Sequence, residues 1–355
     1  MKRTALIMAG GTGGHVFPAL AVAEALANRG CRVIWLGTKQ GIEARLVPNA
    51  GYRIEWLPVG GLRGKGVLTL LAAPFTLLRA GFAAWRAVAR VKPDVVLGMG
   101  GFASGPGGVI AWLQRRPLLV HEQNAIPGFT NRVLARFARR VLTAFPDTLP
   151  NEEVVGNPVR DSVVQLPPPH ERMSTRHGRL RVLVLGGSLG ARSLNENVPR
   201  ALLLSGLDVE VRHQCGRDDV DKVRARYAGG VIDAEVEAFI DDMAEAYAWA
   251  DLVICRAGAM TVFEIATAGL AAVFVPYPHA VDDHQTANAR YLADVDAAVL
   301  MQERDLRPDT LAELLGRLAD RERLLAMASR ARSRARIDAT QKVAEACLAL
   351  AGEAA

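Results

Sequence analysis

Residues 4–14 read TALIMAGGTGG and residues 181–191 read RVLVLGGSLGA. Each is a short apolar run closed by a glycine-rich turn. An apolar run of this length between turn signals reads as a buried strand. Glycines after a strand let backbone N–H groups approach an anion at a helix start. The same strand–glycine–helix opening therefore occurs twice, about half a chain apart. It predicts two similar α/β domains with a cleft between them.

Outward from the first opening, Val33–Leu36, Val95–Met99, Leu118–Val120 and Val141–Thr143 repeat the apolar run. Amphipathic stretches such as Pro18–Ala27 and Thr130–Ala138 lie between them, the rhythm of a doubly wound domain. Residues 165–179, QLPPPHERMSTRHGR, carry no apolar period and read as a linker. The rhythm restarts with Arg181–Leu185, Val209–His213, Val236–Phe239, Leu252–Cys255, Ala272–Val275 and Ala298–Met301. The expected organisation is residues 1–160 plus 337–355 as one domain and 161–336 as the other. The final amphipathic helix, Ala339–Ala349, is expected to return to the first.

Composition narrows the class. The chain has 355 residues, enough for two cores. Cys31, Cys215, Cys255 and Cys347 form no CxxC pair and have no histidine at ligand spacing. Structural zinc and a disulfide framework are not expected. The N-terminal apolar run ends too early, at Gly10, for a signal peptide, so no export is expected. Residues 1–150 hold 19 Lys and Arg against 6 Asp and Glu, so a net +13 there is offset by −7 in the remainder. A basic half suits nucleic acid or an anionic membrane surface. No zinc-finger or RNA-binding motif appears, so nucleic acid is not an expected partner. Residues 67–85, VLTLLAAPFTLLRAGFAAW, are long enough to suggest a span, but Pro74 and Arg79 interrupt them and basic residues flank both ends. An in-plane amphipathic segment fits better, with a buried helix as the alternative.

GGTGGH (Gly10–His15), GMGGFASGP (Gly98–Pro106) and GGSLGA (Gly186–Ala191) are three glycine loops at strand ends. They are not dinucleotide fingerprints. Val16 follows Gly11 and Gly13 where a glycine belongs, and Gly37 stands where the second strand should end in an acid. A P-loop fails too, since Val59 occupies its first glycine position before Gly64–Lys65. Residues 256–269, RAGAMTVFEIATAG, follow the strand DLVIC and open a helix. Its N-terminus suits a pyrophosphate. Glu264, one turn in, is placed to accept hydrogen bonds from ribose hydroxyls. Asp294–Asp296, DVD, matches a metal-holding DxD but sits at a helix end and reads as a solvated turn.

With these residues assembled, the chain closely resembles the MurG family, the UDP-N-acetylglucosamine transferases that convert lipid I to lipid II in peptidoglycan synthesis. The matching stretches are GGTGGHVFPALAVAEAL, GMGGFASGPGG, HEQNAIPGFTNR, VVGNPVR, VLGGSLGARSLN, residues 239–270 and DDHQTANA, in family order over nearly the whole chain. The resemblance implies the GT-B architecture, two Rossmann-like α/β domains facing a cleft, with the acceptor on the first and UDP-GlcNAc mainly on the second. It implies donor contacts from Thr12, Gly13, Gly14, Asn124, Arg160 and Ser188, and from the Ile240 backbone near the uracil. Ala259, Met260, Thr261, Val262, Phe263 and Glu264 would meet ribose and pyrophosphate, and Gln285 the sugar hydroxyls. No metal and no cofactor is implied. Two positions depart from the family pattern: Phe102 replaces a tyrosine, and Leu189 a glutamine.

The expected reaction is an inverting transfer of GlcNAc to the muramic acid C4 hydroxyl of lipid I. The enzyme would sit peripherally on the cytoplasmic face of the membrane, beside other cell-wall synthesis proteins. His15 and Glu122 are the candidate bases. His15 precedes a helix N-terminus, which favours neutral imidazole. Alternatives are a GT-B transferase with another lipid acceptor, a UDP-GlcNAc epimerase and a non-catalytic nucleotide-sugar-binding subunit.

Overall fold

The computed structural model describes residues 2–58, 73–187, 190–229 and 232–353. The chain divides into two compact units, residues 1–160 with 337–355, and residues 161–336.

The first unit holds β1 (Thr4–Met8), β2 (Arg32–Thr38), β3 (Arg53–Leu57), β4 (Val95–Gly98), β5 (Leu118–Glu122), β6 (Arg140–Thr143) and β7 (Glu152–Val154). They form one sheet in the order β3-β2-β1-β4-β5-β6-β7, every pairing parallel. The second holds β8 (Leu180–Leu185), β9 (Val209–Gln214), β10 (Asp233–Glu237), β11 (Leu252–Cys255), β12 (Ala271–Phe274) and β13 (Ala298–Leu300). Its order, β10-β9-β8-β11-β12-β13, is again all parallel. Each sheet starts at its centre and reverses direction there. Such a switch point opens a crevice at the carboxyl ends of the strands. The glycine loops after β1, β4 and β8, and the helix start after β11, all lie at these crevices.

The strands read as continuous apolar runs because both faces of each sheet are covered. Two apolar clusters sandwich the first sheet: Ile7, Trp35 and Leu97 on one side, Leu6, Leu36 and Val96 on the other. The helix Ala339–Glu353 contributes Val343, Cys347 and Leu350 to the first cluster. It is tied there by Arg29, which donates to Gln341 at 2.7 Å.

Three expectations are corrected. β3 and β7 were not anticipated, and β10 begins three residues before Val236. All three are edge strands with few buried residues; no apolar run marks β3 or β7, and the run from Val236 marks only the end of β10. Residues 165–179 are not a solvated linker. Arg172 donates to the carbonyls of Tyr247 at 3.2 Å and Gly269 at 3.0 Å. Arg176 donates to those of Trp249 and Ala250 and pairs at 2.6 Å with fully buried Asp251. Two guanidinium groups thus satisfy carbonyls at the C-terminal ends of the helices Met243–Trp249 and Ala259–Ala268. His170 and His177 in the same stretch are exposed.

Candidate functional site

In the first unit the glycine loop after β1 is fastened from below. Glu43 is fully buried, and its carboxylate accepts from Gly11 N–H at 2.9 Å. It also accepts from the Thr38 N–H at 3.1 Å and hydroxyl at 2.7 Å, at the end of β2. Sequence reasoning missed this residue. It lies five residues beyond the strand and folds back toward the place where a dinucleotide fold keeps its ribose-binding acid. The loop after β4 packs on the loop after β1. Gly101 has φ +84°, and a Cβ there would lie 2.3 Å from the Gly10 carbonyl oxygen. Ser104 donates to the carbonyls of Met8 and Gly100, joining the two loops.

Thr12 is exposed and occupies the N-cap position of the helix Gly13–Asn28; Gly13 and Gly14 form its first turn. His15 stands in that turn, half-buried, its imidazole against Gly100, where a Cβ would come within 2.9 Å of the ring. Its Nδ1 lies 2.7 Å from Gln123 Oε1. The Gln123 amide nitrogen lies 3.0 Å from both the backbone oxygen and Nδ1 of His121. His121 Nε2 lies 2.9 Å from the Gly156 carbonyl. Burial pushes His121 down to about 4, so it is neutral at physiological pH.

Glu122, the other candidate base, is differently employed. Its buried carboxylate accepts from the N–H groups of Asn124 (2.9 Å) and Gly128 (3.1 Å) and from the side-chain amides of Asn124 (3.3 Å) and Asn131 (2.9 Å). Four donors make it the anchor of the loop after β5, with its oxygens turned inward. To act as the base expected of it, Glu122 would have to release one of these donors to free a lone pair for the acceptor. Arg160 lies over the Phe17 ring at 5.3 Å. Phe102 packs half-buried against the core rather than projecting.

The second unit clamps its glycine loop with a neutral group. Gln214, at the end of β9, accepts from Gly187 N–H at 3.0 Å and donates to the carbonyls of Gly187 and Ala238, each at 3.0 Å. Ser188 and Leu189, expected at this loop, lie outside the described residues. Ile240 is buried in the segment after β10. The helix Ala259–Ala268 follows β11 behind Gly258. Of residues 259–264 only Thr261 is half-exposed; Ala259, Met260, Val262, Phe263 and Glu264 are buried. A helix at a sheet crevice turns most of its circumference to the core, which leaves its N-terminal N–H groups and Thr261 as the most open part of this stretch. The Phe263 ring stacks on Tyr291 at 5.2 Å, and the Glu264 carboxylate accepts from Tyr247 Oη at 3.0 Å.

Gln285 sits at the same strand ends. Its carbonyl oxygen accepts from the N–H groups of Ala257 at 3.2 Å and Tyr277 at 2.9 Å, which turns its NH2 outward. Arg256 reaches the carbonyls of Val275 and Pro276 and pairs with Glu303. Asp294 and Asp296 are exposed at the end of the helix His284–Ala293. Among the described residues no group of three His, Cys, Asp or Glu is arranged to hold a metal.

The helix Ala73–Val91 turns Leu78, Phe82 and Trp85 outward at i, i+4, i+7 spacing, with Leu78 74% and Phe82 65% exposed. Arg79 and Arg86 border them, also exposed, and Trp112 and Leu113 extend the apolar surface on the neighbouring helix Ser104–Leu113. Residues 59–72 and the side chain of Leu77, part of the expected amphipathic segment, lie outside the described residues. Among the described residues no helix is long and apolar enough to cross a membrane.

Two all-parallel sheets of this order, each with a glycine loop at its switch point, suit an enzyme that binds an activated sugar nucleotide. Residues 5–143 match the glycosyltransferase family 28 N-terminal domain and residues 181–345 the family 28 C-terminal domain, and the chain belongs to this family. Curated relatives from Burkholderia thailandensis and Burkholderia pseudomallei are each a UDP-N-acetylglucosamine--N-acetylmuramyl-(pentapeptide) pyrophosphoryl-undecaprenol N-acetylglucosamine transferase. Both are 56% identical over 99% of this chain and 97% of their own. The crystal structure of Acinetobacter baumannii MurG is 46% identical, with a TM-score of 0.88 over 98% of this chain and 99% of that one. The calicheamicin glycosyltransferase CalG4 shares the fold alone, at 18% identity and a TM-score of 0.68 over the full length of both chains.

Proposed function

We propose that this chain transfers GlcNAc from UDP-GlcNAc to the muramic acid C4 hydroxyl of undecaprenyl-pyrophosphoryl-MurNAc-pentapeptide, lipid I, giving lipid II for peptidoglycan. The observation that carries this is the 56% identity, along almost the whole chain, to curated transferases named for that reaction. UDP-GlcNAc is assigned mainly to the second unit. Its pyrophosphate would lie at the positive end of the helix Ala259–Ala268, with Ser188, the Ile240 backbone and Glu264 serving the nucleotide and the Gln285 NH2 the sugar. Thr12, Gly13, Gly14, Asn124 and Arg160 would complete the donor site, and His15 would serve as the base. Inversion follows if the acceptor oxygen attacks C1 as UDP leaves on the opposite side.

The test is UDP release from UDP-GlcNAc with and without a soluble lipid I analogue. Release only with the analogue, at 1:1 stoichiometry with lipid II product, is expected. Release with a diacylglycerol acceptor instead would favour another lipid glycosyltransferase. Release without any acceptor would favour the epimerase, and UDP-GlcNAc binding without release a binding subunit.

The same reading puts the enzyme on the cytoplasmic face of the membrane, held peripherally near other cell-wall synthesis proteins. What supports this is the outward face of Leu78, Phe82 and Trp85 between exposed arginines, within a basic half of the chain. Each Lys or Arg near an anionic surface contributes about 1 kcal/mol, screened by salt.

A further inference from the structure

We propose that Gln123 is a positioning residue that holds His15 as its Nδ1–H tautomer, leaving the Nε2 lone pair to receive the acceptor's proton. This rests on the reading of His15 as the base and specifies which nitrogen acts and what selects it. The sequence pointed to its neighbours Glu122 and Asn124 and gave no role to Gln123 itself.

The argument runs from the buried end outward. A backbone carbonyl only accepts, so the ring nitrogen facing Gly156 O, Nε2 of His121, carries a hydrogen. Neutral His121 then has an unprotonated Nδ1, which can only accept. The Gln123 group facing it must donate. The same nitrogen also faces the His121 backbone oxygen, so two acceptors independently orient the amide. Gln123 Oε1 is thereby turned to His15, and an amide oxygen only accepts, so His15 Nδ1 carries the hydrogen at 2.7 Å. Gln123 is 1% exposed and His121 fully buried, so water does not compete along this chain. His15 Nε2 makes no hydrogen bond to any described residue.

The selection matters because a free neutral histidine side chain prefers its hydrogen on Nε2, the form whose remaining lone pair here would face Gln123. In the transfer, the acceptor O–H bond breaks and its proton goes to His15 Nε2. The acceptor oxygen bonds to the sugar C1, and the C1–O bond to UDP breaks with its electron pair leaving on the phosphate oxygen. His15 becomes imidazolium without giving up Nδ1–H, still donated to Gln123, and returns the proton to solvent.

The test combines histidine 15N spectra with kinetics, using His15→Ala to identify the His15 signal where it folds. In the wild-type protein, an Nδ1-protonated, Nε2-unprotonated His15 is expected; an Nε2–H ring overturns the proposal without any variant. Gln123→Met keeps the volume and removes the hydrogen bonds. It should move His15 toward Nε2–H and lower kcat about tenfold or more, while KM for UDP-GlcNAc stays within twofold; forcing the wrong tautomer in a serine protease triad costs about 10⁴. An unchanged tautomer, or a changed one with unchanged kcat, counts against the role. Retained turnover in His15→Ala would remove the base itself, whatever the spectrum says of the tautomer.

Discussion

The two units hold corresponding glycine loops with different chemistry. In the first, a buried carboxylate, Glu43, takes the Gly11 N–H and both donors of Thr38. In the second, a neutral amide, Gln214, accepts from Gly187 and gives two hydrogen bonds back to carbonyls. Both occupy the region where a dinucleotide fold puts its ribose-binding acid, and both spend the side chain on the loop itself. The difference follows from what each must satisfy. Three donors converge on Glu43, so an acceptor-only group fits; two acceptors and a donor converge on Gln214, so only an amide fits. The neutral clamp also keeps a carboxylate away from the second unit's glycine loop, whereas the first unit places one beneath its own.

Exchanging the clamps tests that difference most severely. Gln214→Glu sets a carboxylate against the carbonyls of Gly187 and Ala238, and should cost about 2–4 kcal/mol. Denaturant unfolding should show the loss deepening as pH rises through the new group's ionisation, with weaker UDP binding by calorimetry. Glu43→Gln removes one acceptor atom and adds a donor facing donors, for about 1–2 kcal/mol, with UDP binding by the second unit little changed. Equal losses of UDP affinity in both variants would break the comparison.

Each unit also buries one neutral histidine at a strand. Burial takes His121 on β5 down to about 4 and His213 on β9 to about 3. His213 sits between Tyr227 and Asn195. A folded-state value below the ordinary 6.5 means the unfolded chain binds the extra proton. Stability from these groups is therefore complete above about pH 6.5 and is lost as pH falls toward 4 for His121 and 3 for His213. The slope approaches about 1.4 kcal/mol per pH unit per histidine. Unfolding at pH 7 and 5 should show His121→Gln and His213→Gln each flattening the loss by about one proton's worth; an unchanged slope would mean these groups already protonate in the folded state.

The smallest effect on stability is expected at the exposed faces. Leu78→Ser with Phe82→Ser should shift unfolding by less than about 1 kcal/mol, yet lower binding to phosphatidylglycerol vesicles, and binding should weaken as salt rises. Leu204→Ser, an equally open site in the second unit (66% exposed), should leave vesicle binding alone. Equal effects from both units would dissolve the distinction between a membrane-facing and a solvent-facing half.

What the sequence determined by itself were the interior strands, the two glycine openings and the family. Strands buried on both faces must be apolar throughout, and a loop that admits a phosphate must be glycine, so both leave a local mark. The edge strands β3 and β7 left none, and β10 only its last residues, because one side of each meets solvent. Only tertiary structure decided the roles of polar side chains whose partners are distant in the chain. His15 and Gln123 are 108 positions apart, Gly11 and Glu43 32 apart, and Arg176 and Asp251 75 apart. HEQN offered four polar residues in a row. Burial and hydrogen-bond direction made one a loop anchor, one a neutral relay and one the partner of His15, because a buried donor or acceptor must find its complement wherever the fold brings one.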